Sequence, residues 1–125
     1  MIKIGEVIYL ILSGSTSLDT LIKGNIYPLH IPEKTKLPII VYERRSNPNY
    51  SKDGNSLYST IVDITILSNS YKNCIDICTM VDSILNNYKG VVNDIDIKLI
   101  KLVGVDELYI EETFIQKLSY EIKSK

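Results

Sequence analysis

The sequence predicts an α+β domain: an antiparallel sheet of about four strands, helices packed on one face, and one long projecting β-hairpin. Two strand-like runs flank a polar loop in the middle of the chain, and segments with helical spacing lie before and after them. A second pair of strand-like runs ends the chain. This order of helix, hairpin, helix and hairpin favours a single domain over residues 1–125.

The central hairpin is predicted over Pro38–Ser68. Its first strand contains Ile39–Tyr42, and in its second strand, Leu57–Leu67, alternate apolar residues fall on one face. The connecting loop, Ser46–Ser56, is almost entirely polar and is longer than a tight turn requires. Loops of this kind in a small domain often contact a partner.

Two short helices are predicted ahead of this hairpin. The first follows from apolar residues at helical spacing, and Gly14 is placed to end it. A second short helix is predicted over Leu18–Ile22. The extended segment Asn25–Ile31 contains a proline, so it belongs at a sheet edge or in a connection. The apolar residues of the first helix are Ile4, Val7, Ile8, Ile11 and Leu12.

The C-terminal half predicts one long helix and two strands. The helix runs over Tyr71–Tyr88 and stops at Gly90. A strand with a slip in its alternation follows at Ile95–Val103, and a turn is predicted at Gly104–Leu108. The last strand alternates clearly, and its apolar face consists of Phe114, Leu118, Tyr120 and Ile122, interrupted by Gln116.

Composition excludes several functional classes. Lysine and arginine number 14 and aspartate and glutamate 15, so the net charge of −1 argues against general nucleic-acid binding. No apolar run approaches the ~20 residues that span a bilayer, so no membrane contact is expected. A chain of 125 residues can also bury a sufficient core without disulfides or metal.

The residues that could bind a metal or catalyse a reaction are better explained by ordinary structural roles. Cys74 and Cys78 share a helical face, but His30 is the sole histidine, so a tetrahedral zinc site lacks ligands. Packing in the helix is the better interpretation of the cysteines. No nucleotide-binding or paired-carboxylate motif occurs. The sequence therefore predicts no enzyme activity, no cofactor and no metal, although a small enzyme with an unrecognised site stays an alternative.

The charged residues of the central hairpin are the candidate contact site. Arg44 and Arg45 end its first strand, and Tyr50, Lys52 and Asp53 lie in its loop. Adjacent strand residues point to opposite faces, so the two arginines cannot form one compact patch. They are either solvated charges or partners for acidic residues of a neighbouring subunit.

Several segments resemble the phage tail-completion or tail-terminator family. The matching order is Leu18–Leu21, then the Gly-x-Ile-Tyr-Pro-like element Gly24–Pro28, then the Leu-Pro-x-x-Val-Tyr-like strand Leu37–Tyr42, and finally the polar loop and the long helix. The resemblance covers most of the chain. It is weakest at Gly104–Glu112, an acidic segment whose default interpretation is a solvated turn.

This resemblance implies a non-enzymatic structural protein of the virion. Family members form rings at the head–tail junction, which implies a ring of six or twelve copies here and contacts with portal, connector or tail tube proteins. DNA would only pass through the lumen, which an acidic lining would keep from sticking. Assembly would take place in the host cytoplasm. The alternative from the residues is a small monomeric module that binds a ligand or peptide.

Overall fold

The computed structural model describes residues 2–45 and 57–125. In these ranges two helices and three strands are followed by a third helix and three more strands. The elements are α1 (Ile4–Ser13), α2 (Thr16–Ile22), β1 (Ile26–Pro28), β2 (Ile39–Arg45), β3 (Tyr58–Ser68), α3 (Tyr71–Leu85), β4 (Gly90–Val92), β5 (Ile95–Ile110) and β6 (Thr113–Ser124).

The strands form one mixed sheet in the order β1-β2-β3-β6-β5-β4, so the predicted antiparallel sheet of about four strands is wrong. β1 runs parallel to β2, with Ile26 opposite Ile40, and the remaining pairs are antiparallel. The two additional strands, β1 and β4, contain only three residues each and lie at the two edges. The predicted pairing of β2 with β3 is present, whereas the loop that was predicted to project from this hairpin lies outside the described residues.

The sheet curls into a half-barrel, so the prediction of helices packed on one face of a smaller sheet is also wrong. Helix α1 contacts β1 and β2 near one edge and β4 at the other edge. A flat sheet would hold these strands too far apart for one short helix. Strand twist accumulates across six strands, and this accumulation accounts for the curl.

The hydrophobic core lies between the inward faces of the strands and all three helices. Its largest fully buried side chain is Tyr120, and Cys74, Val81 and Leu85 of α3 are buried against the sheet. In the sequence, apolar residues at helical spacing, Cys74, Ile75, Cys78, Val81 and Leu85, predict one buried stripe on this helix. The structure confirms this stripe except at Ile75, which is only half-buried. Ser70 caps the helix by accepting a hydrogen bond from the Asn73 N–H at 3.3 Å.

The turn predicted at Gly104–Leu108 is wrong because β5 continues through that segment to Ile110. The chain instead reverses at Glu111 and Glu112, which both have positive φ angles, as a two-residue hairpin turn requires. Gly104 lies at one of two irregularities in the pairing of β5 with β6, where Val103 has no cross-strand partner. This extra residue lets the strand bend without ending.

Candidate functional site

The predicted contact residues fall into two groups. Arg44 and Arg45 are the last residues of β2 and are exposed, with Arg44 opposite Val62 and Arg45 opposite Ile61 on β3. Tyr50, Lys52 and Asp53 lie outside the described residues. The arginines point to opposite sides of the sheet, as the sequence indicated, so each belongs to a different surface.

Arg45 forms an ion pair inside its own chain. Its Nε donates to Asp63 Oδ2 at 2.6 Å, and its Nη2 donates to Asp63 Oδ1 at 3.1 Å. This two-point contact fixes the plane of the guanidinium. The side chain of Arg45 is still 58% exposed, whereas that of Asp63 is 1% exposed. Arg45 can therefore hold Asp63 and present part of its guanidinium to a partner.

Asp63 is a buried carboxylate on the outward face of the sheet, which is the face turned away from α3. Ser119 Oγ donates to Asp63 Oδ1 at 2.6 Å, and Lys117 Nζ lies 3.7 Å from Oδ2. Burial alone would raise the pKa of Asp63. The hydrogen bonds from Arg45 and Ser119 and the two nearby cations outweigh burial and hold that pKa below its ordinary value.

Two cations, Arg45 and Lys117, thus flank the carboxylate of Asp63, and Glu43 lies directly opposite it on β2. Asp63 is not among the contact residues predicted from the sequence, although an aspartate inside the β-branched run Thr60–Ile66 is a usable signal. Its partner Ser119 is 56 residues away along the chain. Only the register, which places Asp63 opposite Ser119, brings them together.

A second cluster lies where the inward face of β5 meets the start of α3. Tyr71 Oη donates to Glu107 Oε2 at 2.9 Å, and Gln116 Nε2 donates to the same oxygen at 2.7 Å. These bonds, with Gln116 contributing most, lower the pKa of Glu107. The Phe114 ring lies 5.7 Å from the Tyr71 ring and 4.7 Å from the Tyr109 ring, measured between centroids. The cluster holds the far end of β5 against the domain.

An open cleft lies on the outward face beside β2. It is lined mainly by apolar side chains, with His30, Glu43 and Thr65 among them; the other lining residues are Leu29, Ile31, Val41 and Leu67. His30 is therefore at the surface of a cleft, in the connection that follows β1. This cleft is the feature that fits the alternative of a small binding module.

The cysteines occupy core positions. Both thiols are free and buried, and Cys74 Sγ lies 3.5 Å from the carbonyl oxygen of Ile66. The hydrogen bond with Cys74 and burial together raise the pKa of the Cys78 thiol, so it stays protonated. The packing role predicted for this pair agrees with their burial.

Within residues 2–45 and 57–125, no three His, Cys, Asp or Glu side chains are grouped as a metal ion would require. Over the same ranges, none of the helices combines the length and apolar character needed to cross a membrane.

Comparison with known proteins identifies a fold. No family model matches the chain, and no curated protein matches it. The structure is similar to that of a chain in a solved virion of a native gene transfer agent (GTA) particle, with a TM-score of 0.84. The match covers 95% of this chain and 92% of that chain at 10% sequence identity. At this identity the likeness shows that the two chains share a fold.

Proposed function

We propose that this chain is a structural protein of a phage-like virion and forms a ring at the head–tail junction. One observation carries the proposal: nearly the whole chain shares its fold with nearly the whole of a chain in the virion of a gene transfer agent particle. A virion chain that matches over its full length supports an assembly role more than an enzymatic one.

The position at the head–tail junction rests on the resemblance to tail-completion and tail-terminator proteins. Its two main elements, Gly24–Pro28 and Leu37–Tyr42, pair directly: β1 lies parallel to β2, with Tyr27 opposite Val41 and Pro28 opposite Tyr42. Segments that are separate in the sequence therefore form one ladder at the sheet edge. This pairing supports the interpretation that the two elements belong together.

In the proposed ring, the partners are other copies of this chain, six or twelve in number, and portal, connector or tail tube proteins on either side. DNA passes through the lumen without specific binding. The central hairpin supplies contacts through Arg44 and Arg45 and through Tyr50, Lys52 and Asp53 of its loop. The chain is assembled in the host cytoplasm and resides in the virion, and it performs no catalysis.

Ring formation is tested on the purified chain by light scattering after size exclusion and by electron microscopy. We expect a closed ring whose mass is six or twelve times that of the 14.2 kDa chain. The second test replaces Ser46–Ser56 with Asn-Gly and adds Arg44→Ala, keeping Arg45 because it holds Asp63. We expect folded protein and particles that stall at head–tail joining. Normal infectious particles from this variant would contradict the proposed role of the hairpin.

The cleft around His30 favours a second candidate, a monomeric module that binds a ligand or peptide. That candidate predicts a stable monomer at every concentration. It also predicts that an added aromatic ring at Thr65, as in Thr65→Trp, abolishes ligand or peptide binding while the monomer stays folded. A ring that forms normally with the cleft blocked in this way would favour the structural role.

A further inference from the structure

The second half of β5 is an open sheet edge. One side of the strand pairs with β6 as far as Ile110. On the other side, β4 pairs only with Ile95–Ile97, and the segment before β4 reaches no further than Leu102, whose N–H donates to Asn86 Oδ1 at 3.1 Å. Among the described residues, no strand flanks residues 103–110 on that side. Their outward backbone groups can therefore pair with another chain.

This edge carries a concentration of exposed apolar surface. Five large apolar side chains within eight residues are each more than half exposed: Val103, Val105, Leu108, Tyr109 and Ile110. They occupy both faces of the strand, and even Tyr109, whose ring lies beside that of Phe114, is 60% exposed. A long, apolar, uncovered edge is a site where a soluble protein aggregates unless a specific partner binds it.

The charge of the edge indicates which partner it accepts. Asp106, Glu107, Glu111 and Glu112 lie in or directly after it, and no lysine or arginine occurs between Val103 and Phe114. Pairing of this edge with the same edge of another copy would bring like charges together, which destabilises a strand pair. The complementary surface must therefore be basic and able to cover apolar side chains.

In the described part of the chain, the end of β2 carries an arginine on each face of the strand, Arg44 on one and Arg45 on the other. β1 pairs with β2 only as far as Tyr42, so Glu43–Arg45 continue without β1 beside them. Both arginines there are exposed. An arginine can pair with a carboxylate, lay its apolar stem on a hydrophobic surface, and stack its guanidinium on a tyrosine ring such as that of Tyr109.

We propose that the open edge of β5, residues 103–110 with the adjoining Glu111 and Glu112, binds the Arg44–Arg45 end of β2 in a second copy of this chain. The inference rests on the proposed ring and adds its interface. β2 and β5 lie next to opposite edges of the sheet, so the contact joins two different surfaces. A contact of this type repeats from copy to copy and can close into a ring.

Charge exchange tests the interface. The first variant is Glu111→Lys with Glu112→Lys, because both residues are exposed and Glu107 is avoided for its bonds to Tyr71 and Gln116. The second is Arg44→Glu. The control for the first variant is Glu33→Lys with Asp76→Lys, which makes the same change in net charge at exposed positions away from β5. Assembly is followed by sedimentation at low salt, where surface charges are least screened.

We expect each interface variant to weaken assembly at least about tenfold, which corresponds to roughly 1.4 kcal/mol per contact, while the control assembles normally. A chain that combines both changes should recover part of the loss, because the charges again oppose. Assembly of the Glu111→Lys, Glu112→Lys variant that equals the control would overturn this interface and leave the proposed ring standing. A wild-type chain that stays monomeric at all concentrations would overturn both.

Cross-linking tests the pairing with a change of charge at only one of the two surfaces. Ile110→Cys and Arg44→Cys are prepared separately and mixed with a short bismaleimide; the two natural thiols are buried. The proposed contact gives a cross-linked dimer in the mixture and none with either variant alone. A dimer from Ile110→Cys alone would show that β5 edges meet each other, and absence of any dimer would equally contradict the proposal. Circular dichroism confirms that each variant is folded.

Discussion

The two halves of β5 belong to one strand but have opposite surroundings. Ile95, Ile97 and Ile100 in the first half are buried in the core, whereas the large apolar residues of the second half are more than half exposed. The first half also has partners on both sides, while the second half pairs only with β6. The apolar residues in the first half of β5 thus stabilise the fold, whereas those in the second half, in our proposal, bind another copy of the chain.

This contrast predicts a large difference between two matched substitutions. Ile100→Ala removes a fully buried side chain and should lower the free energy of unfolding by about 2–5 kcal/mol. Ile110→Ala removes a side chain that is 52% exposed and should change it by about 0.5 kcal/mol or less. Urea unfolding is measured at a concentration that keeps the chain monomeric, because assembly would add to the apparent stability. Equal effects would mean that Ile110 is part of the core.

Two aspartates on the outward face can be compared in the same way, Asp63 in the centre of the sheet and Asp106 in the open second half of β5. Asp63→Asn should destabilise the chain by about 1.5–3 kcal/mol because it weakens charge-assisted bonds with Arg45 and Ser119. Asp106→Asn, at an exposed position, is the control and should have little effect on unfolding.

The stability that Asp63 contributes should also depend on pH, and the direction follows from its pKa. The pKa of Asp63 is lower in the folded chain than in the unfolded chain, so its stabilisation is complete above the unfolded value, about 3.9. It is lost as the pH falls through the lower folded value. Thermal unfolding scanned from pH 6 downwards should show a steep acid loss in the wild type and a shallower loss in Asp63→Asn. Parallel curves would contradict the assignment.

Periodicity predicted the parts of the fold that the core determines. The alternation of Val62, Ile64 and Ile66 in β3, and that of Leu118 and Tyr120 in β6, identifies faces that are indeed buried. Such patterns are visible in the sequence because burial on one face selects every second residue. The extended segment Asn25–Ile31, predicted at a sheet edge or in a connection, contains the edge strand β1. The other edge strand, β4, was not predicted because a segment of three residues has no measurable period.

The hairpin turn was misplaced because its residues carry no turn signal. Two-residue turns with positive φ usually contain asparagine, aspartate or glycine, but here Glu111 and Glu112 adopt this conformation. Gly104 was the more conspicuous residue and suggested a turn that does not exist. For this reason the open edge of β5 was not predicted either. An acidic turn and an acidic strand have the same composition, so composition does not distinguish them.

The candidate site was only partly accessible from the sequence. Arg44 and Arg45 were recognised as charges at the end of a strand, but the partner of Arg45 depends on the register that places β3 between β2 and β6. Neither spacing nor composition encodes that register. Residues brought together by pairing of distant strands are therefore the part of a site that a single sequence does not reveal.

The smallest expected difference concerns two tyrosines. Tyr120 is fully buried and its Oη donates to Asp82 Oδ1 at 2.8 Å; burial, followed by this hydrogen bond, raises its pKa. Tyr120→Phe keeps the ring and removes the hydroxyl, so it should lower the free energy of unfolding by about 0.5–1.5 kcal/mol. Because Asp82 is half-buried, water can hydrate its carboxylate once the Tyr120 hydroxyl is removed, and the loss of stability stays within this range.

Tyr109→Phe is the matched change in the open edge. Its ring is 60% exposed and packs beside Phe114, so removing the hydroxyl should leave stability unchanged within about 0.5 kcal/mol. Assembly should also persist, because a phenylalanine ring still accepts a guanidinium on its face. Tyr109→Ser removes the ring and should weaken assembly while the monomer stays folded. If Tyr109→Ser unfolds the monomer, the second half of β5 contributes to folding as the first half does, and the contrast between the halves fails.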